Sequence, residues 1–332
     1  MPDGWCCWFR LIPASFRVTL EFYLIGVDQY KGATFVFTSG FVSLVGRPSV
    51  GKSTLLNACY GGKIAITSRV AQTTRRRMRA VLTDDSSQIV IVDTPGLHKP
   101  KDALGKELNQ TALAELKDVD VVAHLIDASQ EVGRGDAWVA HHIQQSLAPF
   151  KLLVITKADK VDAATVTKQL EAASKLANYD QKLVVSARKN FNVDTFLQIV
   201  RKHLPAGPYW FPSDMDVDMS DKDLIAEFIR EKVLNLTRDE IPHSVAVDVS
   251  EFEWHHHDVC AIRAQIIVER EGQKAIIIGK RGALIKKIGV EARKDIEKLL
   301  GARVFLDLVV CVVPLWRKDA SEIKKLGYVH QD

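Results

Sequence analysis

A chain of 332 residues has room for about two domains, each able to bury a core of its own. With 47% apolar and 26% charged residues, and no run of about 18 uncharged apolar residues, the composition is that of soluble globular protein and excludes an integral membrane protein. A net charge of +4 neither marks nor excludes a nucleic-acid binder, while five scattered cysteines (Cys6, Cys7, Cys59, Cys260, Cys311), lacking C-x-x-C or disulfide-framework spacing, suit a reducing cytosol.

Residues 1–38 are aromatic-rich, lack helical periodicity and carry no basic segment before an apolar core, so they are expected to be neither a signal peptide nor needed by the motifs that follow. Over residues 39–205, short apolar runs (FVSLVG, QIVIVD, VVAHLID, KLLVITK, KLVVSA) alternate with helix-period segments, which predicts an α/β domain with a mostly parallel sheet and crossover helices. The stretch 206–222, rich in proline and aromatics, reads as a linker whose Tyr209, Trp210, Phe211 and Pro212 pack between domains. From residue 223 to 315 the pattern becomes α-β-β-α-α-β. Leu224, Ile225, Phe228, Ile229, Val233 and Leu236 have helical spacing, Val245, Val247 and Val249 alternate, and the order predicts an α+β domain, with residues 316–332 as a helical tail. His255, His256 and His257 are expected in a loop between strands, because three consecutive residues cannot all face one ion.

The chemistry is carried first by Gly46, Arg47, Pro48, Ser49, Val50, Gly51, Lys52, Ser53 and Thr54, where G-x-x-x-x-G-K-S stands between a predicted strand and a predicted helix. Such a loop curls backbone N–H groups around phosphate oxygens; Lys52 would neutralise the β and γ phosphates and Ser53 would offer its hydroxyl to Mg²⁺. Asp93, Thr94, Pro95 and Gly96 end another strand, placing a carboxylate for the metal and a glycine N–H for the γ phosphate. Thr156, Lys157, Ala158 and Asp159 name the base, since a carboxylate there accepts from both N1–H and the exocyclic amine of guanine, a donor pair adenine lacks. Ser186, Ala187 and Arg188 follow the next strand, where a backbone N–H could meet guanine O6. The polar and basic stretch Ile66–Arg77 is expected to be a mobile switch loop, in which Thr73 or Thr74 reaches Mg²⁺ when GTP is bound. Leu97 stands where many GTPases carry a water-orienting glutamine, so intrinsic hydrolysis is expected to be slow.

In the second domain, Gly279, Lys280, Arg281 and Gly282 form a Gly-x-x-Gly turn between two helices, which lets a sugar-phosphate backbone approach beside an apolar groove for single-stranded bases. Lys280, Arg281, Lys286 and Lys287 supply charge there, whereas Arg293, Lys294 and Lys298, interleaved with acidic residues, read as a solvated face.

The nucleotide motifs, the Gln72–Arg75 switch and the C-terminal segments EFIREKVLNLTRDEIPHSVAV, KAIIIGKRGALIKKIGVEARKDIEKLLGARVFLDL and WRKD together resemble the Era family of GTPases from about Phe41 to Tyr328. The resemblance implies a GTP/GDP switch with Mg²⁺ whose type II KH domain holds the 3′ end of 16S rRNA during small (30S) ribosomal subunit assembly. It also implies a cytoplasmic monomer with peripheral association at the inner membrane. Three residues depart from the family pattern: Thr156 for asparagine, Arg281 for glycine and Ser49 for an asparagine that helps hold potassium, so weak potassium stimulation is expected. The alternatives are a related GTPase acting in tRNA modification or another assembly step, and an RNA-binding protein whose G domain binds GTP without turnover.

Overall fold

The alternating pattern resolves, in the computed structural model and among the described residues, into seven strands and five α-helices followed by a part with a smaller three-stranded sheet. The structure describes residues 36–68, 73–97, 100, 102–255 and 258–328; residues 1–35, Gln72, His256, His257 and 329–332, about which the sequence raised expectations, lie outside the described residues. From Phe37 onward the fold is one compact unit.

The first part runs β1 (Thr38–Val45), α1 (Lys52–Tyr60), β2 (Met78–Thr83), β3 (Ser87–Asp93), α2 (Ala103–Ala114), β4 (Val121–Asp127), α3 (Arg134–Gln145), β5 (Phe150–Thr156), α4 (Ala163–Ser174), β6 (Gln181–Val184), α5 (Val193–His203) and β7 (Val217–Asp218). Strand order is β6-β5-β4-β1-β3-β2-β7, parallel from β6 to β3, with β2 antiparallel to both of its neighbours, β3 and β7. The pleat sends successive side chains to opposite faces, so Leu44 joins a core with Leu55 and Phe196 of α1 and α5, while Val45 joins Val139 and Ile143 of α3. Both faces being covered, the strands read as continuous apolar runs. The C-terminal ends of β1, β3, β4 and β5 therefore share one edge, where the loops carrying the nucleotide motifs emerge.

The second part begins with α6 (Asp221–Leu236), where the Ser220 hydroxyl accepts from the Asp223 N–H, a cap worth about 1 kcal/mol. It continues through α7 (Ile241–Ser244), β8 (Ala246–Trp254), β9 (Val259–Val268), α8 (Glu271–Ile278), α9 (Ala283–Leu300) and β10 (Arg303–Val312), and ends with α10 (Ala320–Lys325). β9 lies between antiparallel β8 and parallel β10. Ile225, Phe228, Ile229 and Val233 of α6 pack with Ile288, Ala292 and Ile296 of α9 on Val247, Ile262, Ala264 and Ile266 of the sheet.

One sequence expectation is corrected. Tyr209 and Trp210 do not pack between the two parts. They lie on Phe37, just before β1, and on Phe41 of β1, each more than half exposed, and Gln88 holds the backbone of Trp210 and Phe211, while Val217–Asp218 pairs with β2. The buried aromatics at the junction come instead from the C-terminal tail: Trp316 and Tyr328 pack with Leu104 and Leu108 of α2, and the Trp316 indole donates to the Ser244 carbonyl at 2.9 Å. The described part of the switch loop makes contacts that the sequence did not show. Ile66 is buried in the core of the second part, Arg75 is 2% exposed, Arg76 pairs with Asp223, and Arg77 pairs with Glu115 at 2.8 Å. Each partner lies far away in sequence, so local composition could not reveal the pairing.

Candidate nucleotide and RNA sites

At the end of β1 the chain turns through Gly46, where a Cβ would sit 2.5 Å from the Leu125 carbonyl oxygen, and Gly51, whose φ of 110° is left-handed, before α1 starts at Lys52. The N-terminus of α1 thus opens into a cleft of about 600 Å³. Pro48, Ser49, Gly51, Lys52, Ser53, Thr54, Thr73, Thr74 and Gly96 line it at one end; Thr156, Lys157, Asp159, Ala187 and Arg188 line the other.

Lys52 is nearly buried, with Nζ 3.5 Å from the Gly46 carbonyl and 3.4 Å from that of Arg47, distances long enough to leave it a strong donor for phosphate. Burial pushes its pKa down, and the charge of Asp93 opposes that shift. The Ser53 hydroxyl donates to Asp93 Oδ2 at 2.6 Å, and Thr74 Oγ1 lies 3.0 Å from Ser53 Oγ and 3.2 Å from the same carboxylate oxygen. Asp93 is fully buried, which drives its pKa up against the pull of Lys52, and its Oδ1 has no partner among the described residues. A converging set of hard oxygens with one buried carboxylate oxygen to spare suits a small divalent cation such as Mg²⁺. Of Thr73 and Thr74, it is Thr74 whose hydroxyl joins this cluster; the carbonyl of Thr73 accepts from Arg230 of α6.

Gly96 is pressed against the P-loop, since a Cβ there would come within 2.7 Å of Pro48 backbone atoms, and the Leu97 N–H donates to the Gly46 carbonyl at 3.2 Å. The Leu97 side chain itself is buried in the core, so it cannot hold a water. Thr94 is likewise buried, its hydroxyl bonded to the Leu44 carbonyl, and Arg47 points to Asp136 (2.8 Å) and Gln130 (3.3 Å) rather than lining the cleft. Gly46, Val50, Asp93, Pro95, Ala158 and Ser186 also fall outside the lining.

At the base end, the Thr156 hydroxyl reaches the Val50 carbonyl at 2.6 Å and that of Ile126 at 3.1 Å, so the residue that replaces asparagine still ties this loop to the P-loop. Having one proton, it makes one of these bonds at a time. Lys157 donates from Nζ to the Ser49 carbonyl and to Asp127, both at 2.6 Å. Burial works against ionisation of Asp127, but hydrogen bonds from Lys157 and Ser129 outweigh it and lower its pKa. The Ser186 hydroxyl donates to Asp159 Oδ1 at 2.5 Å, and this bond is the main cause that holds the Asp159 carboxyl below its usual range. Sequence reading missed Leu55, Asp127, Ser129, Gln130, Lys160, Val185 and Asn235 of the lining, while Ile66–Ser68 belong to the expected switch loop. Asp127 could have been found, because it ends the strand beside the one carrying Thr156. Nothing local marks Asn235, which comes from α6 of the second part.

In that part, Gly279 (φ 72°) is required by the turn itself: a Cβ would lie 2.8 Å from Leu284 Cβ. Gly282 (φ 76°) faces open space, with nothing within 4 Å of a Cβ, and Lys280, Arg281, Lys286 and Lys287 are exposed around it. Arg281 adopts φ 53°, a left-handed conformation that costs an ordinary side chain about 1 kcal/mol and leaves its charge at the tip of the turn. Beside the turn a groove of about 290 Å³ runs between α9 and β10, lined by Ile285, Lys286, Gly289, Val290, Arg293, Leu306 and Leu308. Arg293, half exposed and 4.0 Å from Glu297, keeps the solvated face expected of it while also bordering this groove.

Residues 41–157 match the family described as 50S ribosome-binding GTPase, and residues 240–317 match the KH domain family. The chain is similar to Era crystallised with MgGDPNP and nucleotides 1506–1542 of 16S ribosomal RNA, at 37% identity and a TM-score of 0.85, covering 89% of this chain and 100% of that one. It is equally similar, at 37% identity over the same shares and a TM-score of 0.84, to a tyrosine-to-alanine variant of Aquifex aeolicus Era bound to GDP·AlF4⁻. A likeness at this identity along the whole of that chain makes this chain a member of the Era family of GTPases.

Proposed function

We propose that this protein hydrolyses GTP with Mg²⁺ and binds the 3′-end region of 16S rRNA through its KH domain, as a switch in assembly of the small ribosomal subunit. The observation that carries the reading is the single cleft lined at one end by Ser53 and Thr74, whose hydroxyls bond to Asp93, and at the other by Asp159, to which Ser186 donates. The Era complex with MgGDPNP and 16S nucleotides supports the RNA half, and it outweighs the 50S in the matched family's description because it is alike along its full length.

Each residue then has a task. Backbone N–H groups at the start of α1 and the Lys52 ammonium hold the phosphates, and Gly96 brings its own N–H to the γ phosphate beside Pro48. Bound Mg²⁺, held by the Ser53 and Thr74 hydroxyls with Asp93 behind them, would offset charge developing on the phosphate oxygens. Asp159, aimed by Ser186, reads guanine; Lys157 braces the P-loop through the Ser49 carbonyl. With Leu97 in the core no side chain there orients the attacking water, so the intrinsic rate is slow. Ser49 carries no amide oxygen for a monovalent cation, so potassium should accelerate turnover only weakly. The protein acts as a cytoplasmic monomer, and because no described helix is long and apolar enough to cross a membrane, contact with the inner membrane is proposed as peripheral.

Multiple-turnover assays with GTP and ATP, together with binding of an RNA that copies the 16S 3′ end and of a scrambled RNA of equal length, test this reading. It predicts turnover of GTP only and preference for the ribosomal RNA. Tight GTP binding without turnover would instead favour a nucleotide-binding RNA scaffold.

A further inference from the structure

One face of α6 is turned towards the G domain rather than towards its own sheet. Glu227, Arg230, Glu231 and Asn235 are spaced i, i+3, i+4 and i+8, which places them along a single stripe. Arg230 donates from Nε to Glu227 Oε1 at 2.9 Å and from Nη2 to Glu227 Oε2 at 2.6 Å, and the same Nη2 reaches the carbonyl of Thr73. Glu231 accepts from the Thr67 N–H at 2.9 Å and pairs with Lys63. Asn235 lines the nucleotide cleft beside Ile66, Thr67 and Ser68. Both described ends of the switch loop are therefore fastened to a helix that belongs to the KH half.

The fastening at Thr73 is one peptide unit from Thr74, whose hydroxyl lies against Ser53 and Asp93. Arg230 is fully buried, Glu227 aims its planar fork, and its bond to a backbone carbonyl fixes the loop whatever the neighbouring side chains do. We propose that Arg230 is a positioning residue for GTP hydrolysis: it holds the Thr73 carbonyl so that Thr74 stays in register with Ser53 and Asp93. The KH half thereby completes the metal-binding end of the GTPase site. Resting on the reading of that cluster as the Mg²⁺ site, this assigns the second domain a direct part in the first domain's chemistry.

Arg230→Lys is the informative variant, because a lysine can still reach Glu227 but cannot make the paired Nε and Nη2 bonds to that carboxylate that aim Nη2 at the Thr73 carbonyl. Its kcat should fall about tenfold, and the Mg²⁺ concentration for half-maximal turnover should rise by a similar factor, while GDP affinity, set by the P-loop and the base loop, stays within about twofold of the parent. A merely structural role would change GDP affinity or the thermal transition and leave the Mg²⁺ dependence alone. In a Thr74→Ala background Arg230→Lys should add nothing further, since both act through one hydroxyl. Parental turnover and Mg²⁺ dependence in Arg230→Lys, or effects that multiply in the double variant, would overturn the assignment. If Arg230→Lys does not fold, Glu227→Gln, which keeps Arg230 and removes the charge that aims it, should show the same shift in Mg²⁺ dependence, and an unshifted profile there would count equally against it. A parent protein that turns over no GTP would sink the functional reading itself, and that outcome is visible before any variant is made.

Discussion

Replacing Asp159 with asparagine should move base preference from guanine to xanthine. Asp159 follows Lys157, which sits in a left-handed conformation that ends β5 abruptly and directs the next turn into the cleft. Ser186 donates to Oδ1, and an asparagine can keep that bond through its own carbonyl oxygen. Its amide nitrogen then donates where one carboxylate oxygen accepted, which opposes the exocyclic amine of guanine and suits the 2-oxo group of xanthine, while the amide oxygen still accepts from N1–H. Losing charge-assisted bonds of this kind costs about 2 to 3 kcal/mol, or roughly 30- to 150-fold in affinity. Competition binding with fluorescent GTP and XTP analogues reads the exchange. Undiminished GTP affinity together with no gain for XTP would remove Asp159 from the role of base reader.

The second large effect is expected at the Gly-x-x-Gly turn. Gly282→Asp places a carboxylate where a Cβ meets nothing within 4 Å, so the domain should fold with only the strain of a positive φ, about 1 kcal/mol. RNA affinity should nonetheless fall by several kcal/mol, because the side chain occupies the path of the phosphate backbone and repels it. Turnover of GTP without RNA should stay at the parental level. Gly279→Asp is the contrasting case: the nearest atoms of Leu284 would be 2.8 to 3.0 Å away, so that variant should lose stability as well as RNA binding. Thermal melts and RNA titrations of the pair separate the two. Parental RNA affinity in Gly282→Asp would move the RNA site away from this turn, though not to Arg75, Arg76 and Arg77, which are already engaged by carbonyls, aromatic rings and carboxylates.

The nucleotide motifs were legible because each is a short contiguous string at the end of a strand, where the backbone alone dictates what Gly46, Gly51 and Asp93 must do. Thr156 looked like a loss in the sequence, yet in the fold its hydroxyl lands on the carbonyl that ties the loop to the P-loop. Hidden from sequence was everything that depends on where α6 lies. Arg230 and Thr73 are 157 residues apart, and Arg75 meets the Val245 carbonyl across 170. A run of arginines with no visible partner reads as solvated, whereas here burial and the like charge of Arg230 push the Arg75 guanidinium down to about 10 while Trp316 and Tyr328 flank it. The aromatics show the same limit: composition marked Tyr209 and Trp210 as junction residues, but the junction is filled by Trp316 and Tyr328, which the chain brings back after completing the KH sheet.

The shared face of α6 implies that the two halves sense one another, and linkage requires any such coupling to appear in both directions. The most direct measurement is the affinity of the full chain for an RNA copying the 16S 3′ end, taken with Mg²⁺ and GDPNP and again with GDP. A difference of about fivefold or more between the two nucleotide states is the predicted result, at the lower end of ordinary allosteric coupling. Equal affinities in the two states would contradict the account of this chain as a switch.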